Sequence, residues 1–426
     1  MNFDQAQAYL YSLGNEVSAM KLGLESVRRL LRELGDPQDS FLKVQVAGTN
    51  GKGSVCAFLE SICCEAAVRT GLKVGVFTSP HLVSITERVR INGSNISESE
   101  FARVATLVRQ TVERLVDSGE LESTPTFFEQ TTSIALVQFA TQKIDIAILE
   151  TGLGGRLDAT TAAGAEIAAI TRIDIDHQEY LGETIEEIAG EKAAIITGKT
   201  EFVAIAEQTS AVTQALLDRL KVAGKEAMFG DFLAVRSEGE GLVFKTGLNE
   251  YEISRLGLLG RHQVENAKVA LLVAEELSRR FNFVLRDITA GLEKAKHPGR
   301  LEREGNFLFD GAHNINGSVA LREYLDEYVH KPITMIFGAM KGKDVERIAR
   351  LLWPKASKLI LTRPENSRAL TADELATFVP EGFDGQLVLS DSVSAALEEV
   401  STSDEEIVLV TGSLYLIGEV KSLFNN

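Results

Sequence analysis

The stretch LKVQVAGTNGKGSVCAFLESICCEAA, residues 42–67, decides the fold. Its first six residues, 42–47, form an apolar run rich in β-branched side chains, as in a strand buried on both faces. Its last part places Val55, Phe58, Leu59, Ile62 and Ala66 on one face of a helix. Between the two lies GTNGKGS (48–54). Strand, glycine loop and helix in that order are the context of a phosphate cradle. Glycines admit positive φ and bring N–H groups against an anion, the helix N-terminus adds its positive end, and Lys52 reaches a terminal phosphate. Thr49, Asn50, Gly51, Lys52, Gly53 and Ser54 are expected to line this cradle, with the Ser54 hydroxyl placed to ligate magnesium. The spacing departs from the common G-x-x-x-x-G-K-[ST] form, because Gly53 separates the lysine from the serine.

Outward from this unit the same rhythm recurs. LKVGVF (72–77), IDIAIL (144–149), EIAAIT (166–171) and EFVAIA (201–206) alternate with helical stretches, which argues a mainly parallel sheet covered by helices. A second series, FLFD (307–310), ITMIFG (333–338), KLILT (358–362), QLVL (386–389) and EIVLVTG (406–412), implies a second α/β unit. Residues 228–258 alternate apolar and polar side chains with Gly and Asn turns, and read as a small antiparallel appendage. The helical stretch 264–281 and then KHPGRLE (296–302) precede the second series, so the boundary is expected there.

Composition sets limits. At 426 residues with 44% hydrophobic and 25% charged side chains, the chain has the balance of a folded protein with two or three domains. A net charge of -17 disfavours a general polyanion surface, so no nucleic-acid partner is expected and any phosphate site must be local. The start MNFDQAQAYLYSLG lacks a signal-peptide pattern, and no apolar run approaches the ~20 residues of a membrane span. The expectation is a cytoplasmic protein with no membrane partner. Cys56, Cys63 and Cys64 lie on one predicted helix with no disulfide or zinc spacing, and are read as buried thiols.

Four further loops follow strands. ETGLGGRLDAT (150–160) invites a dinucleotide fingerprint, but Leu157 stands where a third glycine is required and no helix opens after it. What remains is Glu150 at a strand's carboxyl end, the edge where open α/β sheets bind ligands, as a ligand-binding or a structural carboxylate. TRIDIDHQEYLGETIEEIAGEKAAI (171–195) holds His177, a metal ligand or a hydrogen-bonded loop histidine, and a capping box at Thr184 and Glu187. Lys192 on the helix that follows is of the kind normally solvated. TSPHL (78–82) presents Ser79, Pro80 and His81. In the second series, Asp310 and His313 of FLFDGAHNINGS (307–318) close a strand, with Asp310 either a ligand or a helix cap, and Arg300 stands just before.

Together GTNGKGS, TSPHLVSITERVRING, TPTFFEQTT, LETGLGGRLDAT, DHQEYLGETIEEIAGEKAAI, GRHQVENAKVAL, HPGRLE, DGAHN and VTGSLYLIGEV resemble the Mur ligase superfamily, and within it the folylpolyglutamate synthase/dihydrofolate synthase family. The blocks run in the family's order from residue 48 to 420. The resemblance implies an α/β protein: a P-loop-containing, mainly parallel sheet domain with the appendage over 1–296, and a C-terminal Rossmann-like domain over 297–426. It implies a ligase in which ATP phosphorylates the terminal carboxylate of a folate, with dihydropteroate as a further acceptor, and L-glutamate attacks the acyl phosphate. Another Mur-type ligase acting on a non-folate carboxylate is the alternative.

Carried over by motif, Lys52 contacts the terminal phosphates, and Thr49 to Ser54, Asn266, Arg300 and Asp310 hold the nucleotide. Ser54 and Glu150 hold one magnesium ion, His177 holds a second, and Lys192 matches the lysine that the family carbamylates into an anionic ligand. Asp310 and His313 organise the glutamate side, while Ser79, Pro80, His81, Phe127, Phe128 and Glu129 receive the pterin. The resemblance also implies a monomer and leaves room for a monovalent cation. Two departures stand out: Ile315 replaces the proline of DGAHNP, and Arg172 stands where related sequences carry Asn.

Overall fold

The computed structural model describes residues 1–14, 23–230, 233–238, 241–400 and 405–424. It separates into two units. The first comprises Met1–Pro80, Ile85–Gly257 and Glu265–Lys296; the second comprises His81–Ser84, Leu258–Val264 and His297–Asn426.

The first unit is built on strands β1 (Leu42–Ala47), β2 (Val74–Phe77), β3 (Val89–Ile91), β4 (Ser94–Asn95), β5 (Ile146–Glu150), β6 (Ile167–Ile170), β7 (Phe202–Ile205) and β8 (Met228–Phe229). They lie in the order β4-β3-β2-β5-β1-β6-β7-β8. All neighbours from β2 to β8 run parallel, while β3 and β4 form an antiparallel hairpin on the edge. This hairpin is absent from the sequence reading above, although Asn92-Gly93 between its strands is a favoured turn pair and both residues have positive φ. β1, β2, β5 and β6 are apolar because helices cover both faces, and almost every residue in them is buried.

The helix Lys52–Thr70 packs against the helix Leu285–Lys294 at a close crossing. A Cβ on Gly291 would fall 2.4 Å from the Ile62 Cα, so only glycine fits there. Cys56 and Cys63 are buried on the Lys52–Thr70 helix and Cys64 is half-buried. Burial drives the first two thiols well above their usual pKa and lifts Cys64 to about 12. The antiparallel appendage is a three-stranded sheet of β9 (Ala234–Glu238), β10 (Gly241–Lys245) and β11 (Glu250–Ile253).

The second unit carries β12 (Glu302–Glu304), β13 (Phe307–Asp310), β14 (Ile333–Phe337), β15 (Lys358–Thr362), β16 (Gln386–Ser390) and β17 (Ile407–Thr411), in the order β12-β13-β17-β14-β15-β16. All pairs are parallel except β12 with β13. Its core includes Trp353, edge-on to Phe337 at 5.3 Å between ring centres. The mainly parallel first sheet, the small antiparallel sheet and the second α/β unit are the fold class expected from the sequence. No helix among the described residues is long and apolar enough to cross a membrane.

Candidate active site

Register fixes what stands side by side at the carboxyl edge of the first sheet. β1 lies between β5 and β6, with Val46 level with Glu150 and Ala47 level with Ile170. The loops after all three strands therefore emerge together. The loop after β1 holds Gly48 at φ 149° and Gly51 at φ 92°, and Lys52 begins the helix Lys52–Thr70. No side chain caps that helix among the described residues, and the start of a helix carries the positive end of its dipole, which favours an anion. The amides of Thr49 and Asn50 turn inward instead, donating to the Arg172 carbonyl at 2.9 and 3.2 Å. Thr49 and Asp174 exchange hydrogen bonds, and the Asn50 amide reaches the Asp174 carboxylate. The loop after β6 thus braces the loop after β1.

The Lys52 ammonium folds back over its own loop, donating to the carbonyls of Gly48 at 3.2 Å and Thr49 at 3.4 Å. Lys192 converges on the same point: its ammonium donates to the Gly48 carbonyl at 2.9 Å and is buried. The sequence alone gives a solvated lysine here, and the structure corrects that. Burial, reinforced by the charge of Lys52 and opposed by Asp176 and Asp158, pulls the Lys192 pKa down to about 7. A substantial neutral fraction thus exists near neutral pH. Asn266 faces the loop, since a Cβ on Gly51 would meet its side-chain oxygen at 2.1 Å. Ser54 and Glu150 are both buried, and the Glu150 carboxylate accepts from the Ser79 amide at 3.1 Å. His177 precedes the short helix Gln178–Leu181 at φ 52°, with Nε2 3.8 Å from the Asp176 carboxylate.

The residues expected to receive a pterin are placed differently from one another. Phe127 points into the core, stacked with Tyr11 and covered by the Arg88 guanidinium at 5.1 Å from its ring centre. Glu129 is occupied as a capping-box partner of Thr126. Phe128 is half-buried, lies 5.7 Å from the Phe77 ring, and presses on Gly152, where a Cβ would meet its ring at 2.6 Å. Ser79 and Pro80 belong to the first unit and His81 to the second.

In the second unit Asp310 is buried at the end of β13, and its carboxylate accepts from the amides of Leu301 and Ala312, each at 3.0 Å. Burial raises its pKa against the pull of Arg300. It is not the helix cap: Asn314 caps the helix Ile315–Tyr328 through the Gly317 amide at 2.8 Å. Ile315 occupies the first helical position, which proline favours but does not monopolise, so the local turn survives the departure from DGAHNP. His313 Nδ1 lies 2.8 Å from the Gly311 carbonyl, which can only accept, so Nδ1 is the donor of that bond.

Several supporting residues escape the sequence reading. Arg90 binds both Glu60 oxygens and also donates to Thr78 and to the Glu87 carbonyl, tying the helix after the first glycine loop to the segment before Ser79. Gln45 donates to Thr160 and Thr161 at 2.8 Å each. Asp158 gathers the loop after β5, and its position two residues before Thr160 is a turn signal legible in hindsight. Among the described residues, no three His, Cys, Asp or Glu side chains are grouped to cage a metal ion.

Comparison with known proteins identifies the family. Residues 46–274 match the Mur ligase middle domain, and residues 294–423 match the dihydrofolate synthetase C-terminal domain. A dihydrofolate synthase/folylpolyglutamate synthase of Bacillus subtilis is 34% identical, over 98% of this chain and 98% of its own length. A probable bifunctional folylpolyglutamate synthase/dihydropteroate synthase of Halobacterium salinarum is 35% identical over 99% of this chain, which spans about half, 52%, of that relative. The solved structure of Mycobacterium tuberculosis folylpolyglutamate synthase complexed with ADP superposes with a TM-score of 0.90 at 29% identity, covering 100% of this chain and 98% of that one. The chain belongs to the Mur ligase superfamily, within the folylpolyglutamate synthase/dihydrofolate synthase family.

Proposed function

We propose that the protein is an ATP- and magnesium-dependent ligase that joins L-glutamate to the terminal carboxylate of folates, and also to dihydropteroate, through an acyl phosphate. The observation that carries this reading is the meeting of Lys52 and Lys192 on the Gly48 carbonyl, beside the carboxyl end of β5. Lys52 would supply positive charge for a triphosphate in a site that needs no covalent bond to the protein, with Lys192 held beside it. Uncapped amides at the start of the Lys52–Thr70 helix would hold the phosphates, and Asn266 would border the nucleotide.

Magnesium fits the donors present. One carboxylate, Glu150, and one hydroxyl, Ser54, are too few for an all-protein cage, but they suit a hard ion that keeps water and substrate phosphates in its shell. When bound, the ion would neutralise charge on the transferring phosphoryl group. We assign a second ion to His177 and to a carbamylated Lys192. A lysine with a pKa near 7 has the neutral amine that carbamylation requires, and the product would be an anion where Lys52 already supplies a cation. In the second unit Asp310 would hold its loop through two amides, and we assign Asp310 and His313 to the glutamate side and Arg300 and Asp310 to the nucleotide. The pterin would rest against Phe128 and the Ser79–His81 loop. We further assign domains 1–296 and 297–426, a monomeric state, a cytoplasmic location and assistance by a monovalent cation.

The test is ADP release with ATP, magnesium and L-glutamate, comparing dihydropteroate, tetrahydrofolate and no acceptor, with products weighed by mass spectrometry. Turnover with both acceptors is expected. Turnover with tetrahydrofolate alone would narrow the activity to chain extension. Folded protein that binds ATP yet uses neither acceptor would point to a different carboxylate.

A further inference from the structure

Arg172, which stands where related sequences carry Asn, lies on the loop that follows β6. Its backbone and its side chain do separate work. The carbonyl accepts from the amides of Thr49 and Asn50, a bracing role open to any residue type. The side chain turns to Asp174, whose Oδ1 lies 3.6 Å from the Arg172 Nε, and donates to the Glu207 carbonyl beyond β7 at 3.4 Å. Asp174 is in turn seated on the glycine loop. The Thr49 hydroxyl donates to the Asp174 carbonyl at 2.9 Å, the Asp174 amide donates back to that hydroxyl at 3.0 Å, and Oδ2 accepts from the Asn50 side-chain amide at 3.4 Å. Thr49 thus carries Asp174 on its hydroxyl and Lys52 on its carbonyl. A carboxylate has been set against a loop whose other features suit an anion.

Stability does not account for the pair. The Arg172 and Asp174 side chains stay 44% and 20% exposed, and ion pairs of that kind contribute little to folding. Their field matters more. A full negative charge beside the start of the Lys52–Thr70 helix opposes both the positive end of the helix dipole and the Lys52 ammonium, the two features that attract phosphates. A guanidinium facing Oδ1 offsets that charge and leaves Oδ2 to hold Asn50. We propose that Arg172 is a positioning residue for the nucleotide: it neutralises Asp174, so that the carboxylate braces the glycine loop through Asn50 without repelling the phosphates bound there. This rests on the assignment of that loop to ATP. An uncharged side chain at 172 would leave Asp174 uncompensated, so the two positions act as a unit.

The test is calorimetric titration of the full chain with ATP and magnesium at low and high salt. At low salt Arg172→Ala is expected to weaken ATP binding by about 3–10-fold, and in turnover the loss should fall on the KM for ATP more than on kcat. Screening should shrink the loss to within about 2-fold at ~0.5 M salt. Arg172→Lys, which keeps the charge, should stay within about 2-fold of wild type. Adding Asp174→Asn to Arg172→Ala should restore affinity to within about 2-fold, because the isosteric amide removes the charge that Arg172 had offset. A role confined to loop structure would instead cost the same at both salt concentrations and would not be repaired by a second substitution. If Arg172→Ala does not fold, Arg172→Gln carries the same comparison. Wild-type protein that binds ATP, with Arg172→Ala binding equally well at low salt or with a loss that the double substitution leaves in place, would overturn this inference alone. Folded wild-type protein that binds no ATP would overturn the functional reading and the inference with it.

Discussion

Two glycine loops leave neighbouring strands of one sheet, and they do opposite things with their amides. GTNGKGS after β1 runs straight into a helix that no side chain caps, and its Thr49 and Asn50 amides donate to the Arg172 carbonyl outside the loop. ETGLGGRLD after β5 folds around Asp158, which takes the amides of Gly152, Leu153 and Thr160 for itself, and a short 3-10 turn, Ala159–Ala163, follows instead of an α-helix. Glycine content is similar in both. The difference is an internal acceptor: a loop without one presents donors to a ligand, and a loop with one becomes a brace.

That contrast is broken most severely at Lys52. Lys52→Ala is expected to reduce ATP-dependent turnover by about 10²–10³-fold or more, while thermal melting stays near wild type because the side chain packs on loop carbonyls and little else. Steady-state ADP release and a melting curve check both halves. Gly51→Ala should come next. It puts a side chain at φ 92° and a methyl 2.1 Å from the Asn266 oxygen, so weakened nucleotide binding is expected with a stability loss of about 1–3 kcal/mol. Titration with a fluorescent ATP analogue would show it.

A sharper probe is pH. The folded Lys192 has a pKa of about 7, below the ~10.4 of an exposed lysine, so between the two values the unfolded chain holds a proton that the folded chain lacks. The penalty for burying the charge is complete below about pH 7 and is relieved as pH rises toward about 10, by up to ~1.4 kcal/mol per pH unit. Urea midpoints of wild type and Lys192→Met, measured free of nucleotide and carbon dioxide, should therefore converge across that window. The smallest effect belongs to the brace: Thr161→Val removes one of two donors to the Gly155 carbonyl and one acceptor of the Gln45 amide, at about 1 kcal/mol of stability, with nucleotide affinity unchanged.

Strands β1, β13 and β15 were legible residue for residue, because burial on both faces leaves short runs dominated by Val, Ile, Leu and Phe. The turn from strand to helix through GTNGKGS was equally plain, since clustered glycines between an apolar strand and a helical face mark a loop. Lys192 was not. Nothing in IEEIAGEKAAI distinguishes a buried lysine from a solvated one, because its burial is created by Gly48, 144 positions earlier in the chain. Asp158 was missed for a related reason, as the three amides it gathers are near in sequence yet meet only when the loop is closed. The Asp310 ambiguity was resolved by Asn314, a neighbour equally able to cap a helix.

The aromatic and sulfur inventory is split cleanly: the only tryptophan, Trp353, lies in the core of the second unit, and all three cysteines lie on one helix of the first. Indole fluorescence therefore follows the melting of one unit, while alkylation of the buried Cys56 and Cys63 thiols follows the opening of the other. The chain carries two independent clocks, and the order in which its two units open can be timed without substituting a residue.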